Sequence, residues 1–230
     1  MAELNILLST AVTIAFVHTL IGIDHYIPFI ALSRANLWSM KKTMLVVFLC
    51  GLGHVLSSVL LGGMGIALAL GVSLLVDIEG FRGEIATYFL IAFGLVYTIY
   101  GVRRALKNKA HSHVTHDGRT IMHVHHVHGE SHEHPQKANL FWGLFILFVL
   151  GPCEPLIPLL MYPAATHNSL ALVMVTTIFA VCTIATMLLM TCLGLKGIEL
   201  LKINKWERYA HALAGSSILL CGICLLVLPI

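Results

Sequence analysis

The chain has 230 residues, of which 58% are hydrophobic and only 11% are charged, and its mean hydropathy is +0.89. Soluble globular domains carry roughly 25% charged residues, so this composition excludes a soluble enzyme or a soluble binding domain. The apolar residues also occur in runs longer than a core helix needs, which indicates an integral membrane protein.

Six apolar windows reach the ~20 residues that a helix needs to cross ~30 Å of hydrocarbon. The windows cover residues 4–32, 43–75, 84–102, 138–163, 169–194 and 207–229. The first, second and fourth are long and contain Gly, Pro or ionisable residues, which predicts tilted or broken helices. We expect the breaks in helices 1 and 4. The expected fold class is therefore an all-α polytopic membrane protein with six transmembrane helices.

Basic residues are concentrated in three of the predicted loops, which hold thirteen of the fourteen Lys and Arg residues. Arg82, in the loop between the second and third spans, is the exception. Because Lys and Arg accumulate in cytoplasmic loops, we expect these three loops in the cytoplasm and both termini outside. The N-terminus lacks the basic start of a signal peptide, so we expect the first span to be retained in an inner or plasma membrane.

The predicted cytoplasmic loop at residues 103–137 contains nine of the fourteen histidines. It shows no apolar periodicity, so we predict that it is disordered until something binds it. Most of its imidazoles are neutral at cytoplasmic pH and free to bind metal, which predicts an accessory metal-binding loop; a solvated spacer is the alternative. Its histidines are His111, His113, His116, His123, His125, His126, His128, His132 and His134.

The loop separates two halves of three spans each, residues 1–102 and 138–230. A shift of 130 positions aligns Asp24-His-Tyr-Ile-Pro28 with Glu154-Pro-Leu-Ile-Pro158. An odd number of spans in each half forces the second half to insert upside down, which predicts two inverted-topology repeats, as in many secondary transporters. The residues predicted to break the first and fourth helices are Gly22, Pro28, Gly151, Pro152, Pro155 and Pro158.

Two acidic residues, Asp24 and Glu154, fall inside the predicted spans, whereas the other nine fall in loops or at span ends. An Asp at the centre of a membrane helix costs about 2.5–3.5 kcal/mol on insertion scales, so such residues usually mark an ion or proton path. The alternative interpretation is a buried acid that only stabilises helix packing through hydrogen bonds.

Three histidines, His18, His25 and His54, also fall inside the first two spans. A straight helix would separate the first two by about 10.5 Å along its axis, which is long for two ligands of one metal, so a break at Gly22 would have to bring His25 inward. Imidazole plus carboxylate favours Ni²⁺, Co²⁺ or Zn²⁺ over Mg²⁺ or Ca²⁺. The candidate metal ligands are His18, Asp24, His25, His54, Glu154 and, as a soft ligand, Cys153.

The run His18-Thr-Leu-Ile-Gly-Ile-Asp24-His25, followed by Cys50-Gly-Leu-Gly-His54, resembles the nickel/cobalt transporter superfamily. It is most similar to the UreH-like (urease accessory) transmembrane branch of the lysine and sulfite exporter-type group. The segment Gly151-Pro-Cys-Glu-Pro-Leu-Ile-Pro158 resembles the proline-rich break in the second half of that group. Nickel permeases usually carry H-x4-DH, one residue shorter than the motif here.

The resemblance implies a six-span protein that moves Ni²⁺ or Co²⁺, with His18, Asp24, His25 and His54 on the motif positions. We therefore predict a secondary or partner-coupled transporter of divalent transition metals, with no enzymatic activity. The chain has no G-x-x-x-x-G-K-[ST] phosphate loop, so we expect no nucleotide. The expected partners are the lipid bilayer, the metal ion as substrate and a cytoplasmic metallochaperone or enzyme maturation factor, with no nucleic acid.

Three alternative functions remain open. A sulfite-type anion exporter would want Arg or Lys near the midplane, and no basic residue lies deep in a predicted span. A metal-sensing or metal-delivery membrane protein would use the same ligands. A thiol–disulfide relay that supports cytochrome c maturation has a similar Pro-Cys break but needs one cysteine in each half; the position aligned with Cys153 is Ile23, and the first span has no cysteine.

Overall fold

A computed structural model describes residues 2–107, 111–114, 120–123, 136–200 and 208–228 of the chain. Its helices are α1 (Ala2–Ile21), α2 (Ile27–Ala35), α3 (Met40–Ala67), α4 (Val72–Lys107), α5 (Gln136–Leu150), α6 (Leu156–Ala165), α7 (Ser169–Leu200) and α8 (Ala210–Val227). A 3-10 turn at Ile23–His25 separates α1 from α2. Two short strands, β1 (His111–Val114) and β2 (Thr120–His123), pair antiparallel.

Five of these helices, α1, α3, α4, α7 and α8, are long and apolar enough to cross a membrane, and α5 and α6 are shorter apolar helices. Large apolar side chains are exposed on the outer faces of the long helices, for example Ile6, Leu60, Val96, Val173 and Leu220. A surface of this kind requires a hydrocarbon environment. The chain is therefore a multi-pass helical membrane protein in contact with the lipid bilayer.

Two interruptions divide helices within apolar sequence, and both lie where the sequence predicts breaks. The first separates α1 from α2 at residues 22–26, and the second separates α5 from α6 at residues 151–155. Pro28 lies in the first turn of α2, where backbone amides have no partner within the helix. The missing N–H of a proline therefore costs the helix no hydrogen bond. Pro155 caps α6 and Pro158 follows in its first turn, so both begin that helix.

The second and third spans differ from the prediction in their bounds. The second ends at Ala67 and not at residue 75, and the third begins at Val72 and not at residue 84. At ~1.5 Å per residue, the 36 residues of α4 extend for about 54 Å, well beyond ~30 Å of hydrocarbon. The first part of α4 is charged and has low hydropathy, so its sequence resembles that of a loop. In the structure it is helical, and Glu79 and Arg82 form an ion pair one helical turn apart.

Three helices end in the same kind of turn. Leu37 after α2, Ala69 after α3 and His167 after α6 all have a left-handed backbone, with φ between 51° and 52°. In each turn the next amide donates to a carbonyl five residues back, as in the bond from Trp38 N to Ser33 O (2.9 Å). This Schellman arrangement satisfies carbonyl groups that the end of a helix leaves free.

Helices α4 and α8 pack backbone to backbone because small residues line their contact. A Cβ on Gly94 would lie 2.5 Å from the amide nitrogen of Leu219, and Cβ atoms on Gly101 and Gly215 would overlap the backbone of Ala212 and Thr98. Close approach over small residues is the usual means of helix association in a membrane, where burial of apolar side chains supplies little drive.

Between α4 and α5 the structure describes eight residues of the histidine-rich loop, the strands β1 and β2, which pair with His111 opposite His123 and Val114 opposite Thr120. These segments include Val114, Thr120 and Ile121, whose β-branched side chains favour strands. The disorder of the rest of the loop stays a prediction. The predicted loop bounds also change, since α4 continues to Lys107 and α5 begins at Gln136.

The glycine contact between α4 and α8 generates a prediction for stability. We expect Gly101→Ala to destabilise the folded protein by about 1–3 kcal/mol, the usual effect of overpacking, because the added methyl group would overlap the backbone of α8. The matched control is Gly63→Ala on α3, where a Cβ meets nothing within 4 Å. Thermal unfolding of both variants in detergent measures the difference, and equal melting temperatures would contradict the packing described here.

Candidate metal centre

Three imidazoles converge near the middle of the bundle. His18 lies in the last turn of α1, His25 in the 3-10 turn and His54 in the middle of α3. The ring centroids of His18 and His25 are 5.1 Å apart, and those of His25 and His54 are also 5.1 Å apart. One ring nitrogen from each of the three residues lies within 4.8 Å of the other two. We call these three residues the histidine cluster.

The break after α1 brings His25 to His18. On a straight helix these two positions would lie about 10.5 Å apart along the axis. The helix instead ends at Ile21 and the chain turns at Gly22, which shortens this distance. The His25 ring packs directly over Gly22, so closely that a Cβ on that residue would overlap its Nδ1. A residue without a side chain at this position therefore places His25 in the cluster.

Hydrogen bonds fix the orientation of two rings. His25 Nδ1 donates to the carbonyl of Gly22 (3.0 Å) and lies 3.2 Å from Oδ1 of Asp24. His54 Nδ1 donates to the carbonyl of Phe148 (3.2 Å). Because a carbonyl oxygen can only accept, the proton of each ring resides on Nδ1 and the lone pair on Nε2.

The carbonyl of Phe148 is free because of the sequence that follows it. In a continuous helix it would accept from the amide of residue 152, but that residue is Pro152 and has no N–H. The helix ends at Leu150, and the ring of His54 takes the vacant acceptor. The break in the second half of the chain thus orients a histidine of the first half.

The Nε2 atoms of His18, His25 and His54 are buried and have no hydrogen-bond partner among the residues that the structure describes. Metal-bound histidines characteristically donate their other ring nitrogen to a carbonyl or carboxylate, as His25 and His54 do here. Donor nitrogens of a tetrahedral site with bonds of ~2.0–2.1 Å lie about 3.3 Å apart. Inward shifts of about an ångström would therefore suffice for the cluster to hold an ion such as Zn²⁺, Ni²⁺ or Co²⁺.

The two predicted intramembrane acids line the same cavity as the cluster. This cavity has a volume of about 500 Å³ and is bordered by all three histidines, by Asp24 and by Glu154. The carboxylate of Asp24 contacts the His25 ring and is 31% exposed, whereas Glu154 is exposed. Asp24 thus lies where it orients His25, and Glu154 adds a second negative charge to the cavity wall.

Cys153 is the candidate ligand that the structure does not bring to the cluster. Its side chain is fully buried in an apolar cluster with Val55, Leu156 and Phe179. Because the chain turns between Pro152 and Pro155, Glu154 borders the cavity while the preceding cysteine points into the core. The prediction of a soft sulfur ligand next to Glu154 is therefore not supported by the geometry.

The accessory histidines can be placed only in part. His111 and His113 lie on β1 and His123 on β2. The other six lie outside the described residues: His116, His125, His126, His128, His132 and His134. The prediction that this loop binds metal stays a prediction.

Glu79 and Arg82, which the sequence predicts to lie in a loop, form a buried ion pair next to the cavity. The Glu79 side chain is fully buried, and its Oε1 accepts from Arg82 Nη1 at 2.7 Å. The signal that could have revealed it is the i,i+3 spacing of opposite charges, which places the two side chains on one face of a helix. The further contacts of Arg82 with α3 and α5 could not be read from the sequence.

Comparison with known protein families identifies the family of the chain but not its substrate. A family model described as the cytochrome C biogenesis protein transmembrane region matches residues 27–224. The chain belongs to this family. No curated protein and no solved structure matches the chain. His54 and the second break lie inside the matched part, whereas His18, Asp24 and His25 precede it.

The alternative function as a thiol–disulfide relay in cytochrome c maturation corresponds to this family. All six cysteines lie at described positions, and all are free thiols. Cys50 and Cys221 belong to one buried apolar cluster and Cys153 to another, against which Cys182 packs. The cavity is lined by the histidines and by carboxylates, and no cysteine is among its lining residues.

The bare Gly22 under the His25 ring generates a prediction for metal affinity. We expect Gly22→Ala to displace the His25 ring and to weaken Co²⁺ binding roughly 10- to 100-fold. This is the usual effect of disturbing a residue that orients a metal-bound histidine. The control is Gly143→Ala, whose added methyl group would meet Phe93 at an ordinary 3.7 Å. Calorimetric titration should use protein in which the nine loop histidines are replaced by asparagine. Equal affinities of the two variants would show that Gly22 does not position His25.

Proposed function

We propose that the chain is a membrane transporter of divalent transition-metal ions, with Ni²⁺ or Co²⁺ as the preferred substrate and Zn²⁺ as a further one. The observation that carries the proposal is the histidine cluster, whose three Nε2 atoms are buried and have no hydrogen-bond partner within the part of the chain that the structure describes. A polar atom without a hydrogen-bond partner in a membrane interior costs free energy. Three such atoms in one cluster therefore indicate a ligand that they bind together. The motif resemblance to the nickel/cobalt transporter superfamily supports the same substrate class.

The surroundings of the cluster favour transport over a closed structural site. The histidines border an open cavity of about 500 Å³, and both broken segments contribute to its wall. Asp24 and Glu154 supply negative charge that offsets the loss of the ion's water shell, and neutral imidazoles select transition metals. Ion and substrate sites of secondary transporters lie on such interrupted helices.

The two halves also support an inverted repeat. Helix α2 ends at Ala35 and α6 ends at Ala165, positions separated by the same 130 residues that align Asp24 with Glu154. The left-handed residues Leu37 and His167 that follow these helices keep this spacing. The ends of α2 and α6 and the turns after them thus recur at an offset of 130 residues, and the breaks at residues 22–26 and 151–155 recur at an offset of 129, although the residues at the equivalent positions differ.

The positive charges place the loops between α2 and α3, α4 and α5, and α7 and α8 in the cytoplasm in this proposal. The histidine-rich loop would then act on the cytoplasmic side, as a metal buffer or as the contact for a metallochaperone or enzyme maturation factor. Without a nucleotide site, the driving force is an ion gradient, the membrane potential or a partner. Protons are the natural coupling ion, because imidazole and carboxylate ligands lose protons when they bind a cation.

The transport proposal is tested by metal uptake into proteoliposomes. We expect His18→Ala, His25→Ala, His54→Ala and Asp24→Asn to insert normally and to lose uptake of Ni²⁺ and Co²⁺. Because the histidines act as one site, the losses should be far from additive. The matched control is His167→Ala, an exposed histidine in the turn after α6, which should retain full uptake. Full activity in two of the three cluster variants would remove the metal site from the histidine cluster.

A thiol–disulfide relay is the second candidate, favoured by the family match. Such a relay takes two electrons and two protons from a dithiol on one side and delivers them to a disulfide on the other, through a cysteine pair. Proteoliposomes with a dithiol reductant inside and a disulfide probe outside measure this activity. A relay requires probe reduction that is lost in Cys153→Ser. The transport proposal expects no probe reduction and unchanged Ni²⁺ uptake in that variant.

A further inference from the structure

The ion pair between Glu79 and Arg82 lies at the point where three helices meet. Glu79 has no exposed surface, and the side chain of Arg82 is 17% exposed. Both residues belong to α4. Burying two charges adds little net stability after desolvation, while removal of only one leaves an uncompensated charge. The contribution of such a pair therefore lies in the geometry that it fixes.

Arg82 connects α4 to two other elements. Its Nη2 donates to Ser57 Oγ on α3 at 2.8 Å and to the carbonyl of Val149 on α5 at 2.8 Å. The carbonyl of Val149 is free because α5 ends at Leu150, before the residue whose amide would bond it in a longer helix. One guanidinium, held by Glu79 through its Nη1, thus joins α3 to the broken end of α5.

Both groups that Arg82 holds are neighbours of His54. Ser57 Oγ also donates to the main-chain carbonyl of His54 at 2.8 Å. Val149 directly follows Phe148, whose carbonyl accepts from His54 Nδ1 and fixes the position of its proton. The guanidinium therefore sets the distance between the backbone that carries the His54 ring and the carbonyl that orients it.

We propose that Arg82, held in place by Glu79, is a positioning residue that closes His54 onto His18 and His25 to complete the three-imidazole site. This inference rests on the proposed function, because it concerns the same metal ligands. Arg82 itself lies outside the cluster and is not a ligand. A guanidinium suits this role because its planar set of donors reaches several acceptors at once, which an ammonium group matches poorly.

The test compares Arg82→Gln, Arg82→Lys and Glu79→Gln with the wild type, all with the nine loop histidines replaced by asparagine. We expect Co²⁺ affinity to fall roughly 10- to 100-fold, as for other partners of metal-bound histidines. The visible absorption of the bound Co²⁺, which reports its coordination geometry, should change in the same variants. The control is Arg34→Gln, which removes an exposed ion pair with Glu199 (3.7 Å) and should leave both readouts unchanged.

A second comparison separates positioning from general stabilisation. In a His54→Ala background the ring that Arg82 positions is absent, so Arg82→Gln should cause no further loss of Co²⁺ affinity. An equal loss in both backgrounds would show that Arg82 acts on the fold as a whole and would overturn the inference. Where Arg82→Gln does not fold, Arg82→Lys keeps the charge and decides the question by the same comparison.

The two proposals fail in different ways. If the wild-type chain without loop histidines binds no Co²⁺, the proposed function fails, and the inference about Arg82 fails with it. If the wild type binds Co²⁺ through the cluster and the Arg82 and Glu79 variants bind it equally well, only the positioning role is overturned. Weaker binding in these variants, together with no further effect in the His54→Ala background, supports both.

Discussion

A helix that breaks inside hydrocarbon leaves backbone groups for which no water is available, and these groups must find partners within the protein. Here the partners are side chains of the candidate site. Pro152 cannot bond the carbonyl of Phe148, which accepts from His54 at 3.2 Å, and Arg82 bonds the next carbonyl at 2.8 Å. At the first break, the carbonyl of Gly22 accepts from the His25 ring at 3.0 Å. The breaks and the histidine cluster thus depend on each other.

The sequence was sufficient to predict the class of fold and the places of both breaks, and the histidines and intramembrane acids that it indicates border one cavity. These predictions rest on signals that the amino-acid sequence itself carries, namely long apolar runs, proline and glycine within them, and ionisable residues where hydrocarbon should exclude them. The separation of His18 and His25 could not be predicted, because it depends on the backbone angles at Gly22. The direction of the Cys153 side chain could not be predicted either, because it follows from the turn between two prolines.

Charged residues at the start of α4 show a different limit of sequence reasoning. Hydropathy averaged over a window predicts a loop at Glu79 and Arg82, whereas the structure buries this ion pair between three helices. The family match likewise identifies the transmembrane fold from residue 27 onward but leaves out His18, Asp24 and His25. The chemistry of the site therefore depends on its own geometry, which combines neutral imidazoles, nearby carboxylates and a cavity without cysteine among its lining residues.

X-ray absorption spectroscopy of the Zn²⁺-loaded protein can show whether three intramembrane imidazoles bind one transition-metal ion. The protein should carry asparagine in place of the nine loop histidines, so that only intramembrane ligands contribute. We expect one ion per chain with three imidazole nitrogens at ~2.0–2.1 Å, and weaker binding with one imidazole nitrogen fewer around the ion in His54→Ala. A shell of sulfur or of water oxygen alone, or an unchanged spectrum in His54→Ala, would contradict this expectation.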